Sequence, residues 1–103
     1  MKKTSILVLL LIVVPNRITL ASWYARGLKH PDALTVASRD YPKGTKLMLR
    51  ISTRKPWVPV VVNDYGPDPK IHPDRGLDVS RGVARKLGIV KRGLALVEVK
   101  EAP

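Results

Sequence analysis

The chain has no cysteine among its 103 residues. That excludes disulfides, cysteine-ligated zinc and a lipid carried on a thiol. Histidine is nearly absent too. His30 and His72 each stand beside a proline in turn-rich sequence, too isolated to supply the clustered donors a metal site needs, so no metal or cofactor is expected. No His/Asp arrangement accompanies Ser38, which gives no support to a nucleophilic triad. Acidic residues are scarce, 8 against 19 lysines and arginines, for a formal net charge of +11. The apolar run Ile6 to Val14 falls well short of the roughly 20 residues a spanning helix requires. Repeats and long polar linkers are also missing, and a chain of this length supports one domain.

What is present at the N-terminus has the order of a secretory leader. Met1-Lys2-Lys3 is the positive start, Ile6 to Val14 the apolar centre, and Thr19-Leu20-Ala21 the small-residue site. Residues 1–21 are therefore read as a signal peptide and 22–103 as the mature domain, with cleavage expected before Ser22. The alternative is an uncleaved interfacial anchor. Losing Lys2, Lys3 and Arg17 with the leader leaves 16 basic residues against 8 acidic ones, a net charge of +8. Such a balance favours an anionic partner. Nucleic acid would suit the charge, but an export signal argues against it. The expected product is periplasmic or secreted, with no stable membrane anchor after cleavage, and monomeric.

Ser22 to Tyr24, Ala33 to Ala37, Lys46 to Ser52 and Leu94 to Val99 read as short strands. Trp57 to Asn63 is the strongest β run, with Pro59 expected at an edge or bulge because it cannot donate to a ladder. Asp64 to Gly76 reads as a long loop with Pro67, Pro69 and Pro73, a length that suggests a functional segment. One helix follows: Ser80 is its N-cap, Val83, Ala84 and Leu87 its apolar face, and Gly88 its C-terminal stop. Short strands, tight turns and one short helix favour a small, mostly β domain closed as a barrel.

The most informative motif is Val60-Val61-Val62-Asn63-Asp64-Tyr65-Gly66-Pro67, followed by Leu77-Asp78-Val79-Ser80. A β-branched run delivers an acid to the point where a strand ends. Upstream stand Ala21-Ser22-Trp23-Tyr24, Ala33-Leu34-Thr35-Val36-Ala37-Ser38 and Tyr41-Pro42-Lys43-Gly44-Thr45, and downstream Ser80 to Gly88. Taken in this order, from Ala21 to Val99, the chain resembles the RlpA-like proteins. The resemblance implies a mostly β fold, a small six-stranded double-psi β-barrel with one short helix. It also implies activity on peptidoglycan, with the position of Asp64 catalytic. Many relatives are lipoproteins, which this chain, lacking cysteine, is not. The family glutamate before the Ala-Leu-Thr motif is missing from Ala25 to Asp32, and the family histidine is replaced by Ser38.

Asp64 is the first candidate for chemistry. Partial burial at the strand end could raise its pKa, and Asn63 could orient it, so that it protonates a glycosidic oxygen. It could instead begin an Asx-type turn. Asp78 is either a second groove carboxylate or a structural acid that caps the helix or pairs with Arg75 or Arg81. Asn63, Tyr65, Asp78, Tyr24 and Ser38 are the candidate substrate contacts. Trp23 and Trp57 could stack on sugars or simply pack in the core. Arg39, Arg75 and Arg81 could grip substrate carboxylates or serve in ion pairs. Asp32 could stand in for the missing glutamate.

Two functions follow as expectations. One is an exported lytic transglycosylase that cleaves the β-1,4 bond after N-acetylmuramic acid and leaves a 1,6-anhydro end. A single acid can serve there, whereas most glycoside hydrolases need two. The other is an expansin-like module that binds peptidoglycan or another anionic cell-wall polysaccharide without cutting it. An exported effector that contacts another protein is a third class, which a large exposed apolar patch would mark.

Overall fold

The computed structural model describes residues 16–66, 70–71 and 75–103. The leader's apolar run, Pro67, Pro69, His72 and Pro73 lie outside the described residues. Six strands and one helix follow in chain order: β1 (Arg17–Tyr24), β2 (Thr35–Ala37), β3 (Lys46–Arg50), β4 (Val58–Asp64), β5 (Arg75–Ser80), α1 (Arg81–Leu87) and β6 (Leu94–Glu101). The strands close into a barrel in the order β1-β5-β2-β4-β3-β6. β1 runs parallel to β5 and β2 parallel to β4. The remaining neighbours are antiparallel. The fold is thus the expected small, mostly β barrel with a single short helix among the described residues.

Alternation builds the core. Val58, Val60 and Val62 of β4 point inward, as do Leu47 and Leu49 of β3 and Val97 and Val99 of β6. Leu77 and Val79 of β5 join them, and α1 adds Val83, Ala84 and Leu87 while packing against β1, β2, β4 and β5. Pro59 pairs with Met48 of β3 and precedes the start of β2 pairing at Val61, so its missing N–H faces an unpaired stretch. Ser80 Oγ accepts the Val83 N–H at 3.2 Å, and Gly88 closes the helix with a φ of 75°.

Two boundaries differ from the sequence reading. β1 begins at Arg17, not Ser22, because Thr19 and Ala21 point into the barrel and the strand pairs with β6 from Arg17–Val99 to Ser22–Leu94. Five residues read as leader are therefore barrel residues. β5 occupies Arg75–Ser80, where the sequence reads as loop up to Gly76 with no separate strand after it. Its partners are β1 and β2, remote in sequence, and no local alternation announces them.

Candidate active site

β2 is three residues long and lies between β5 and β4. Its last residue, Ala37, pairs with Asp78 on β5 and with Asp64 on β4, and Asp78 pairs in turn with Ser22 on β1. Ser22, Asp78, Ala37 and Asp64 form one row across four adjacent strands. Neighbouring strands lie about 4.8 Å apart, so the Cα atoms of the two aspartates are roughly 9–10 Å apart, with an alanine between them.

A register shift places the Asp64 end of the row. Val36 pairs with Val62 but Ala37 with Asp64, so Asn63 is the extra residue of a bulge on β4. In a regular strand Asn63 and Asp64 would face opposite sides; at this bulge both are exposed. Asn63 lines a cleft of about 320 Å³ together with Leu28, His30, Ala33 and Thr35. The Asp64 carboxylate accepts the Tyr65 N–H at 2.8 Å, and its carbonyl accepts the Ser38 N–H at 2.9 Å. The partial burial expected of Asp64 is not found, because the chain leaves the barrel here and the bulge turns the carboxylate to solvent.

Gly66 holds the following turn against β2. A Cβ there would lie 2.8 Å from Ser38 Cα and 3.0 Å from the Ala37 carbonyl oxygen, both backbone atoms. Arg39 Nε donates to the Gly66 carbonyl at 3.1 Å, which fixes the turn from the other side. Tyr65 is 65% exposed, with Lys43 Nζ 4.5 Å from its ring centroid.

Asp78 is half-buried and takes a hydrogen bond from Ser22 Oγ. It neither caps the helix, which Ser80 does, nor pairs with Arg81, whose guanidinium forks onto Asp32 at 2.7 and 2.8 Å. Tyr24 sits half-buried within reach of both acids of the row. Burial raises its phenol above the usual tyrosine value, and the negative charges of Asp64 and Asp78 raise it further. Ser22 and Tyr24 share one face of β1, a period-2 signal that could have identified Ser22 as a site neighbour.

Other candidates lie elsewhere or are engaged. Ser38 is only 2% exposed, and its Oγ accepts the Asp40 N–H at 3.0 Å, so it shapes a turn and does not face a groove. Asp32 is held by Arg81 and also by Arg85 at 3.0 Å, which ties its loop to α1. Trp23 packs against the core and donates its indole N–H to the Val90 carbonyl at 3.1 Å. Trp57 is flanked by Arg50 at 4.1 Å and Lys100 at 4.3 Å, on the β3–β6 side of the barrel. Among the described residues, no three His, Cys, Asp or Glu side chains group as a metal site.

No family model matches the chain. It is 32% identical, over 93 aligned positions, to a protein of Nostoc sp. described as a probable endolytic peptidoglycan transglycosylase RlpA. The match covers 79% of this chain but spans only 24% of the relative's length. The similarity and the closed six-stranded barrel, with its two parallel pairs, agree with the motif order read from Ala21 to Val99. The chain is an RlpA-like protein with a double-psi β-barrel domain.

Proposed function

We propose that this protein is exported to the cell envelope and acts there on peptidoglycan glycan strands as a lytic transglycosylase. The observation that carries this reading is the exposed Asp64 carboxylate, carried on the β4 bulge in one row with Asp78 and within electrostatic reach of Tyr24. The similarity to a protein described as a peptidoglycan transglycosylase supports it.

In this reaction Asp64, protonated, donates to the glycosidic oxygen as the β-1,4 bond breaks. The resulting carboxylate then takes the proton from the C6 hydroxyl of the muramic acid residue as that oxygen attacks C1. The products are a 1,6-anhydro end and a free 4-hydroxyl, and no water is consumed. Asn63, lining the adjacent cleft, and the exposed ring of Tyr65 contact the sugars. Asp78 acts behind Asp64 through its charge, and the Tyr24 phenol, kept neutral by burial and by the two acids, stands beside them.

A second reading draws on a specific observation: among the described residues, the other acids near the row are engaged. Asp78 is held by Ser22 and Asp32 by two arginines. With one available carboxylate near the row among the described residues, a barrel can bind a glycan without cutting it. The test is to incubate the purified protein with peptidoglycan sacculi beside an Asp64→Asn variant. Soluble muropeptides from the wild type alone establish cleavage centred on Asp64. If neither protein releases fragments and both pellet with the sacculi, the chain is a binding module.

A further inference from the structure

We infer that the N-terminal leader is not cut at the Ala21–Ser22 bond and stays on the exported protein as its membrane tether. This rests on the export part of the function proposed above. The bond lies inside β1. Residues 17–21 provide five successive pairings to β6, from Arg17–Val99 to Ala21–Ala95, and the Leu20–Arg75 and Ala21–Leu77 pairings to β5. Ala21 is fully buried and Thr19 nearly so. Thr19 also fills the space beside Gly76, where a Cβ would come within 2.2 Å of its Oγ1. The Arg17 guanidinium pairs with Asp40 and lies 5.9 Å from the Tyr41 ring centroid.

Cutting after Ala21 would leave β5 and β6 with unpaired edges and open the barrel over Leu77 and Val97. Upstream there is no substitute site. Signal peptidases read small residues at the last and third-last positions of the leader. Between the apolar run and β1 stand only Pro15 and Asn16, and cleavage after Thr19 would set Arg17 at the third-last position. The leader thus lacks a cleavage site that spares the fold.

The surface next to the tether suits a bilayer. Ile18 and Leu96 are 66% and 64% exposed and line one shallow apolar cleft with Ile51. Ile18 is the second residue of β1 and stands four residues after Val14, the end of the apolar run in the sequence. A short apolar tether and an exposed apolar face add their membrane affinities.

The test uses the full chain with a C-terminal epitope, expressed in a bacterial host. The expected result is a full-length mass in the membrane fraction, with the epitope reached by antibody on intact spheroplasts. Any shortened N-terminus overturns the tether, and one at Ser22 also contradicts the place of residues 17–21 in the barrel. A full-length chain sealed inside the cell overturns the tether and the export reading together. A second variant, V13A/P15A, supplies small residues just ahead of Asn16. It should be cleaved there and move, after lysozyme treatment, to the soluble fraction. Cleaved protein that stays with the membrane would show that the leader is not what holds it.

Discussion

Tyr24 is the side chain through which both acids of the row can be measured. Burial raises its phenol first, then Asp64 and Asp78. With a raised value in the fold, its contribution to stability is complete below the unfolded tyrosine value of about 10 and is lost as pH rises through the folded value. Titrating tyrosinate absorbance by difference against Tyr24→Phe isolates this group. We expect Asp64→Asn and Asp78→Asn each to lower its midpoint toward the ordinary value. A midpoint unmoved by both would contradict the shared site. Gly66 makes a steric prediction at the same scale. An alanine there meets the backbone of Ala37 and Ser38, so Gly66→Ala should cost about 1–3 kcal/mol in denaturant unfolding. It should also displace the turn that carries Asp64 and reduce muropeptide release. Wild-type stability and activity would show that the close approach is relieved without consequence.

At the level of elements, α1 and its cap join the strands to the loop before β2. The Ser80 hydroxyl accepts from Val83 N–H and donates to the Ala33 carbonyl at 2.6 Å. Ser80→Ala removes both bonds and should destabilise the protein by about 1–2 kcal/mol, read as a lower denaturant midpoint with an unchanged slope. The helix was legible in the sequence because its signals are local: a serine before it, a glycine after it and apolar residues at helical spacing between. β4 was legible for the same reason, through the alternation of Val58, Val60 and Val62. The start of β1 and the whole of β5 were not. Both are fixed by partners far along the chain, and Thr19-Leu20-Ala21 carries a leader's composition while filling a strand's place. At the site, the arrival of Asp64 at a strand end could be read from Val60 to Gly66. Its exposure could not, because that depends on a bulge set by pairing with β2. Ser38 has the position of a groove residue, but the Asp40 turn takes up its hydroxyl.

The whole molecule is a closed barrel, and closure is what the N-terminal boundary controls. A polypeptide of residues 16–103 should unfold in one cooperative thermal transition. One of residues 22–103 should not, because β6 loses its partner along most of β1. A cooperative transition of similar midpoint in the shorter chain would show that residues 17–21 are dispensable. The charge of the molecule acts at this scale too. Its excess of lysine and arginine should make attachment to anionic sacculi weaken as salt rises. The chemistry claimed for Asp64 differs from hydrolysis in one respect that can be weighed: water does not enter the product. The measurement is digestion of peptidoglycan in ¹⁸O-labelled water, with mass spectrometry of the new muramic acid ends. We predict unlabelled 1,6-anhydro ends, absent from the Asp64→Asn reaction. Labelled reducing ends, or no new ends at all, would contradict a lytic transglycosylase built on Asp64.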